Sequence, residues 1–352
     1  MQRLKNSRDD RGAVAVWVAI LLIPLMVCAA LAIDVGAANA DRQRLQHGAD
    51  AAALAIAHDC AAGACGDYNG TADEIADANA PFGEDNPSGA LTENADLDAG
   101  YVEVATTSNR DHWFAPVIGL DEIALSGLGA AIWAPPGGGR SAIPFTFAAC
   151  ELAELGVLEL GADGQVVGLD PDSIGQRIRL EQSKVTDPIA CDQPTSGMYA
   201  PGGFGWLASD EPDCSVFTRI GVPVDSGSGN AQGSESAACY TALKSAIDAP
   251  GEEVALLPVF SSQEETGDKQ YTIIGYVAVT LEGYRFQGSR HHGEDEDGDP
   301  ASANDNKPEQ GNGGWIVVTP REFIASEADF EADPDAPDLG TVVVSLVLPR
   351  EP

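Results

Sequence analysis

Basic residues are scarce in this chain. Its 19 Lys and Arg residues stand against 55 Asp and Glu residues, which gives a formal net charge of −36. A protein that binds nucleic acid needs clustered Lys and Arg to contact the phosphates. The composition therefore predicts no nucleic-acid partner, and it favours an acidic, solvated surface that keeps the protein soluble.

The motifs of common catalytic sites are absent from the sequence. It contains no GxSxG nucleophile motif, no HExxH zinc motif and no GxxxxGK[ST] phosphate loop. It also has no CxxC pair or matching His pair with the spacing of a zinc site. Paired acids say little in so acidic a chain. These absences predict a protein that is not an enzyme and that uses no cofactor; a secreted hydrolase is the less favoured alternative.

A charge-free apolar run covers residues 13–33. A helix of that length, at about 1.5 Å per residue, spans the roughly 30 Å of a bilayer's hydrocarbon core. Residues 35–57 then carry an apolar residue every three or four positions, which is a helical period. The pattern predicts a transmembrane helix over 12–34 that continues as an amphipathic stalk helix over 35–60.

The charges beside the apolar run predict its orientation. Four basic residues and two acids lie in 1–11, whereas Arg42 and Arg44 are the basic residues that follow soon after the run. This excess predicts a cytoplasmic tail over 1–11 and an extracytoplasmic C-terminal bulk. A cleaved signal peptide is the alternative, because Ala30-Leu31-Ala32 fits a small-x-small cleavage site. Both interpretations export the rest of the chain.

Small residues recur along the stalk helix. Such residues let helix backbones approach closely in membrane interfaces. The candidates for this packing are Gly36, Ala40, Gly48 and Ala52. They predict a homo-oligomer formed through the N-terminal helix.

The cysteines outside the apolar run are even in number. Cys28 lies within the run, where it is expected to pack as a small apolar side chain. An even set in an exported region favours disulfides. The candidates are Cys60, Cys65, Cys150, Cys191, Cys214 and Cys239. The sequence leaves the connectivity open, and pairing of neighbours along the chain is the expectation.

The region after the helix is expected to be mainly antiparallel β with few short helices, which makes the fold class α+β. Residues 61–134 are predicted to form a small α/β module with strands at 101–106 and 123–133; Asp111 would cap a short helix between them that ends at Gly119. Residues 135–139 predict a boundary, and 141–352 a mostly β domain. Its predicted strands are 143–147, 157–160, 176–180, 254–260, 272–281, 314–319 and 341–348, and its predicted helix is 237–247.

An acidic insert at 291–310 holds seven acids and one Lys. Its composition predicts a mobile, solvated loop. Carboxylates are also the ligands that calcium prefers, and the candidates are Asp295, Asp297 and Asp299. Counted from Asp295, Gly298 comes two places before the position where an EF-hand loop needs its glycine, so that motif fails.

Several N-terminal motifs occur together. They are RGA at 11–13, Asp34-Val35-Gly36, Leu45-Gln46 and ADAAALA at 49–55. This combination resembles the TadE/TadG-like proteins of the Flp (tight adherence) pilus-assembly system. Residues 112–131 are similar to that family's FFA-x-x-hG helix and following strand. GGFGWL at 202–207 and the stretch 254–288 resemble exported domains of its actinobacterial members.

The resemblance implies a single-pass membrane protein of pilus assembly or the cell envelope. It makes 61–134 a pilin-like module, implies no enzymatic activity, and implies the membrane and pilus-assembly or envelope proteins as partners. The alternative hypothesis is an exported ligand-binding or calcium-dependent adhesion domain on a membrane anchor.

This sequence departs from the family's pattern at two places. Pseudopilins of this class are cut after a Gly and carry Glu at the fifth mature position, but after Gly12 that place holds Trp17. The resemblance therefore favours a permanent, TadG-like anchor over a filament subunit. Larger members carry a DxSxS metal motif; the run 225–229, DSGSG, has Gly where the first Ser is needed, so a turn is expected there.

Overall fold

The computed structural model describes residues 11–79, 87–162, 165–181, 204–209, 214–225, 234–249, 254–264, 270–286, 290–303 and 314–350. The chain forms two compact units. Unit 1 contains Met1–Asp59, Cys65–Ala131 and Leu346–Pro352, and unit 2 contains Cys60–Ala64 and Ile132–Ser345. One long N-terminal helix precedes a mostly β region with few short helices, which confirms the predicted α+β class. The tail predicted for 1–11 lies, apart from its last residue, outside the described residues.

Helix α1 runs over Arg11–Ala61 without interruption. Pro24 lies inside its apolar half, where the chain still keeps a helical conformation. The helix ends where Gly63 adopts a positive φ of 83° and donates its N–H to the carbonyl oxygen of Cys60. The predicted membrane and stalk segments therefore form one helix.

Unit 1 adds a second helix and a set of strands to α1. The elements are α2 (Tyr68–Asn79), β1 (Ser88–Leu91), β2 (Tyr101–Asp111), a 3-10 helix (Ala115–Ile118) and β3 (Glu122–Ala134), which continues into unit 2 after Ala131. β1 pairs antiparallel with β2, which neighbours β3 in the sheet. β2 and β3 were predicted, whereas α2 was not.

Ser88 and Gly89 begin strand β1, which lies against α2. A Cβ on Gly89 would lie 2.2 Å from the carbonyl oxygen of Ala72 in α2, so only glycine allows this approach of strand and helix. The side chain of Asp67 accepts the N–H of Gly70 at 3.0 Å and so supports the first turn of α2.

The short helix between β2 and β3 also differs from the prediction. It is a 3-10 helix that begins at Ala115, and it is not capped by Asp111. Its end is as predicted: Gly119 takes a left-handed conformation with φ of 84°, and its N–H bonds back to the helix carbonyls.

Unit 2 holds the remaining elements. The strands are β4 (Pro136–Ser141), β5 (Phe145–Ala148), β6 (Leu158–Leu160), β7 (Val166–Leu169), β8 (Ile178–Glu181), β9 (Phe204–Trp206), β10 (Val216–Arg219), β11 (Pro223–Asp225), β12 (Ala255–Glu264), β13 (Gln270–Phe286), β14 (Arg290–Gly293), β15 (Trp315–Arg321), β16 (Phe323–Ala325), β17 (Phe330–Ala332) and β18 (Thr341–Val347), whose last two residues belong to unit 1. The helices are α3 (Ala149–Glu154), a 3-10 helix (Pro171–Ser173) and α4 (Ser234–Asp248). Every strand predicted for this region overlaps an observed one, and α4 covers the predicted helix.

The long strand β13 organises the main sheet of unit 2. The strand order is β8-β15-β13-β12-β5-β9, with β11 and β14 also pairing with β13. Val277 and Val279 belong to one apolar cluster, and Tyr276 and Ala278 belong to a second one. Because alternate side chains point to opposite faces, both faces of β13 are covered. Most pairings are antiparallel, but β12 pairs in parallel with β5.

The glycines of the boundary predicted at 135–139 lie in strand β4. β4 pairs with β10 on one side and β17 on the other. A Cβ on Gly139 would lie 2.3 Å from the ring of Phe330, so a glycine leaves the space that the aromatic ring fills. The glycine run therefore marks close packing here.

The mobile, solvated loop predicted for 291–310 is wrong for residues 291–293, which lie in strand β14. β14 pairs antiparallel with the end of β13, from Gly283↔Gly293 to Phe286↔Arg290. A turn follows in which the buried carboxylate of Asp295 accepts the N–H groups of Asp297 and Asp299 at 3.1 and 2.8 Å. Residues 304–310 of the insert lie outside the described residues.

Candidate membrane anchor and the contacts that hold it

The first half of α1 exposes its apolar side chains. Val16, Trp17, Leu25 and Met26 are all more than half exposed. Among the described residues, this is the one helix long and apolar enough to cross a membrane, with a mean hydropathy of 2.8 over its most apolar window. Exposed side chains of this kind are stable in lipid and costly in water. The structure is thus compatible with a single-pass anchor.

The second half of α1 is embedded in unit 1. Its buried apolar side chains are Leu45, Ala49, Ala52, Ala53, Ile56 and Ala57. The segment predicted as a stalk helix therefore packs in the core of unit 1 through the face that carries these side chains. A Cβ on Gly127 would lie 2.5 Å from the backbone of Leu45, and one on Gly129 would lie 2.5 Å from the backbone of Ala49. The two glycines let β3 lie directly against the helix.

Polar side chains fix the register between the helix and the strands. Gln46 donates from Nε2 to the carbonyl oxygen of Leu128 at 2.8 Å, and its Oε1 accepts the N–H of Leu128 at 3.3 Å. Thr106 of β2 donates its hydroxyl to the carbonyl oxygen of Leu45 at 2.9 Å. The motif Leu45-Gln46 is thus a contact site of the helix with its own sheet.

The helix-packing candidates divide into two pairs. Gly48 and Ala52 are buried, and a Cβ on Gly48 would lie 3.3 Å from the Cβ of Asn79 in α2. Gly36 and Ala40 are exposed, and a Cβ on Gly36 would meet no atom within 4 Å. The buried pair packs within the chain, which leaves Gly36 and Ala40 as the candidates for contact with another helix.

Asp34 connects the end of the apolar run to the loop between β2 and β3. Its carboxylate accepts the N–H groups of Trp113, Phe114 and Ala115 at 3.0, 3.0 and 2.8 Å. These are the free N–H groups at the start of the 3-10 helix, which carboxylates satisfy well. Asp34 is buried. Asp34 belongs to the motif Asp34-Val35-Gly36, but no pattern in the sequence predicts this contact.

A second contact lies further along the helix. Arg110, at the end of β2, forms an ion pair with Asp41, which also pairs with Arg44 at 3.1 Å. The guanidinium of Arg110 lies 5.5 Å from the centre of the Trp113 ring. Arg110 therefore connects the helix to the same loop that Asp34 holds.

A buried carboxylate also joins distant parts of unit 1. Glu103 accepts hydrogen bonds from the Tyr101 hydroxyl at 2.6 Å, from Thr92 at 2.8 Å and from the backbone N–H of Arg350 at 3.1 Å. Burial raises the pKa of Glu103, but these hydrogen bonds outweigh it, so the pKa is lowered. The pKa of the Tyr101 hydroxyl is raised by burial and by its bond to Glu103. No pattern in the sequence predicts this cluster.

In unit 2, one buried carboxylate is poorly matched. Glu151 of α3 is buried, and its Oε2 has no hydrogen-bond partner among the described residues. Burial, with added repulsion from Glu154 and Glu181, raises the pKa of Glu151 to about 7.

The calcium candidates lie in the turn after β14. Asp295 uses its carboxylate to hold that turn, and the neighbouring acids pair with arginines of or next to β8: Arg177 with Glu294 at 3.0 Å, and Arg179 with Glu296 at 3.3 Å. Within the described ranges, no group of three or more His, Cys, Asp or Glu is placed to hold a metal ion.

All the disulfide candidates that lie among the described residues form disulfides. Cys214 and Cys239 form one bond, which joins the segment before β10 to α4. Cys60, Cys65 and Cys150 are also in disulfide form. Cys191 lies outside the described residues, as do positions 226–229 of the DSGSG run.

Unit 2 also carries an open cleft of about 360 Å³ between β10 and β11. Arg140, Arg219 and Asp225 line it. Arg219 already pairs with Glu331 at 2.6 Å, and Arg140 donates to Ser215 at 2.9 Å. The charged groups of this cleft are thus engaged in the fold.

Comparison with known proteins gives a family match that covers α1 and the residues just after it. Residues 12–63 match the model of the putative Flp pilus-assembly TadE/G-like family. Neither the curated proteins nor the solved structures contain a match to the chain. The match covers all of the apolar run, Asp34 and the contact site at Leu45-Gln46.

Proposed function

We propose that this chain, whose residues 12–63 match the TadE/G-like pilus-assembly family, is a membrane-anchored extracytoplasmic protein that takes part in assembling Flp pili. The observation that carries the proposal is the division of α1. Its first half is exposed and apolar, and its second half is the core helix of a folded unit. Such a helix anchors a folded unit at a membrane surface.

The orientation proposed is an N-terminus in the cytoplasm, with unit 2 and the part of unit 1 that follows the apolar run outside. Basic residues within 1–11 exceed those that follow the run, and such residues stay on the cytoplasmic side. The Cys214–Cys239 disulfide supports this orientation, because disulfides persist in oxidising compartments. Partners would then be envelope or pilus-assembly proteins outside the cytoplasm.

A permanent anchor is favoured over a filament subunit. Trp17 occupies the position where a processed pseudopilin carries Glu. The exposed pair Gly36 and Ala40 leaves one short face for contact with a second copy, so a homo-oligomer in the membrane is part of the proposal. No enzymatic activity is proposed, since the sequence contains none of the catalytic motifs considered.

Deletion of the gene tests the assembly role. Cells that lack the chain should lose or shorten surface fibres in electron micrographs, and the intact gene should restore them. A complementing variant with Leu25→Arg and Met26→Arg in the exposed run should fail to restore fibres, because charges in the hydrocarbon core are costly. Unchanged piliation in the deletion strain would refute the assembly role.

The topology needs a separate test. A protease added to intact spheroplasts should digest unit 2 and leave a membrane-protected N-terminal fragment. If unit 2 is protected in intact spheroplasts and digested only after lysis, the proposed orientation is refuted. The assembly role would still be decided by the deletion experiment.

A further inference from the structure

Large apolar side chains are exposed on the loop that Asp34 holds. Trp113 is 68% exposed, Phe114 45%, Val117 90% and Leu120 56%. Contiguous apolar groups of this kind mark surfaces that meet another apolar phase. The loop is short and closed, because the N–H of His112 donates to the carbonyl oxygen of Asp121 at 2.9 Å.

The position of the loop relative to the apolar run follows from its hydrogen bonds. The N–H groups of Trp113, Phe114 and Ala115 lie within 3.0 Å of the Asp34 carboxylate. Asp34 is the first charged residue after the run, and the next one is Asp41, about 10 Å further along the helix at 1.5 Å per residue. The polar layer of a bilayer leaflet is roughly 5–8 Å thick. The loop is therefore held at the depth of that layer.

The chemistry of the loop suits this depth. Tryptophan concentrates at membrane interfaces because its ring is apolar and its N–H is polar. Arg110 contacts the Trp113 ring and pairs with Asp41, so a cation lies on the water side of the loop. The acids Asp111 and Asp121 lie at the base of the loop, next to the bond that closes it.

We propose that residues 112–120 form a second membrane contact, an interfacial anchor that inserts Trp113, Phe114, Val117 and Leu120 into the headgroup region of the leaflet through which α1 leaves. This inference rests on the proposed function, since it needs α1 to span the bilayer. A helix and a loop contact the membrane at two points, which stops unit 1 from rotating about the helix axis. The lipid surface is what covers these apolar side chains, and the three hydrogen bonds to Asp34 set the depth at which the loop lies.

Depth-dependent fluorescence quenching tests the proposal on the full, oxidised chain. Three variants are made in a Cys28→Ala background: Val117→Cys, Leu25→Cys and Ala99→Cys. In each, the new cysteine carries an environment-sensitive fluorophore. The protein is reconstituted into phosphatidylcholine–phosphatidylglycerol vesicles that contain lipids with a quencher either near the headgroup or deep in the acyl chain. Leu25 reports the span, and exposed Ala99 lies just before the far end of β2, roughly 35 Å from the loop at 3.3 Å per residue.

The Val117 probe should show blue-shifted emission and lose most intensity to the shallow quencher. The Leu25 probe should respond to the deep quencher, and the Ala99 probe to neither. If the Leu25 probe is quenched but the Val117 probe is as little quenched as the Ala99 probe, the loop does not contact the membrane. That result would overturn the loop contact but not the membrane anchor. A blue-shifted Val117 probe that no lipid quenches would mean that protein, such as a second copy, covers the loop. Absence of quenching at Leu25 would overturn both proposals.

A second variant tests the role of Asp34. Asp34→Ala in the Val117-labelled chain should reduce shallow quenching at Val117, because the loop loses the acceptor of its three N–H groups. The same change in the Leu25-labelled chain should leave deep quenching unaltered. Equal quenching at Val117 with and without the carboxylate would show that Asp34 does not set the depth of the loop.

Discussion

At the scale of single residues, three buried carboxylates are treated differently by the fold. Asp34 and Glu103 accept several hydrogen bonds each, so their burial is compensated. Glu151 has an oxygen without a hydrogen-bond partner in the part of the chain that the structure describes, and its pKa is raised to about 7. A buried carboxylate without partners favours its neutral form. Changing these residues should therefore have opposite effects.

Removing the Asp34 carboxylate should loosen the loop at 112–120. Asp34→Ala leaves the N–H groups of Trp113, Phe114 and Ala115 without their acceptor, and each lost bond to a charged group is worth about 1.5–3 kcal/mol. Amide hydrogen exchange measured by mass spectrometry should become faster over 112–120. Asp59→Ala, at an exposed acid of the same helix, is the control; equal exchange in both variants would contradict the role given to Asp34.

Replacing Glu151 should stabilise unit 2 at alkaline pH. The folded-state pKa of Glu151 lies above the value of an unfolded glutamate, so the wild-type protein loses stability as the pH rises from about 4.5 to about 7. A shift of this size corresponds to roughly 3 kcal/mol. Glu151→Gln lacks the titrating group, so its stability relative to wild type should rise by that order between pH 4 and pH 8 in urea unfolding.

The matched control is Glu154→Gln, which changes an exposed acid of the same short helix. Burial is the largest cause of the raised pKa of Glu151 and repulsion from Glu154 a smaller one, so this variant should keep most of the pH dependence of the wild type. Parallel curves for Glu151→Gln and wild type would show that the pKa of Glu151 is the same in the folded and the unfolded protein, which would contradict the raised pKa.

At the scale of elements, α1 serves two environments with one continuous backbone. Up to Ile33 its large apolar side chains are exposed, whereas from Leu45 onward apolar side chains are buried within unit 1. Glycines in and next to α1 have different roles in its exposed and its buried part. Gly36 is exposed with open space around it, whereas Gly129 of β3 lies against the backbone of the helix.

Adding one methyl group should separate these roles. Gly129→Ala places a Cβ 2.5 Å from the Ala49 carbonyl carbon, and since neither backbone can yield easily, the loss should be about 1–3 kcal/mol. Gly36→Ala meets no atom within 4 Å and replaces a poor helix former, so it should be neutral or stabilise by up to about 1 kcal/mol. Thermal unfolding followed by circular dichroism measures both. Similar losses in both variants would contradict the assigned packing.

The sequence predicted those elements whose signal is local. The apolar run at 13–33, the alternation in β2 and the apolar strands β12, β13 and β15 can each be recognised from the residues of the element itself. The Asp34 contact was missed because its partners lie almost eighty positions away, and backbone N–H groups leave no mark in a sequence. The glycine run at 137–139 also has a role that its composition does not reveal: these residues lie in strand β4, and Gly139 leaves the space that the ring of Phe330 fills.

At the scale of the whole molecule, the chain returns to unit 1 at its far end. The segment Leu346–Pro352 belongs to that unit, and the N–H of Arg350 donates to the Tyr101 hydroxyl and to Glu103, each at 3.1 Å. The guanidinium of Arg350 lies 3.9 Å from the centre of the Tyr101 ring. Arg350→Pro removes the N–H and should destabilise unit 1 by about 1–3 kcal/mol. Arg350→Ala keeps it and should cost only the cation–π contact, about 0.5–1 kcal/mol.

Hydrogen exchange over Tyr101–Asp111 should therefore be faster in the proline variant than in the alanine variant, with strand β13 of unit 2 as the unchanged internal reference. The difference should also depend on pH. Because the pKa of Glu103 is lowered in the folded state, the stability that its carboxylate contributes is complete above the ordinary glutamate value of about 4.3 and is lost as the pH falls through the folded-state pKa. The effect of Arg350→Pro should accordingly shrink in acid. An effect of equal size at neutral and acidic pH would mean that the backbone bond to Glu103 does not hold the end of the chain.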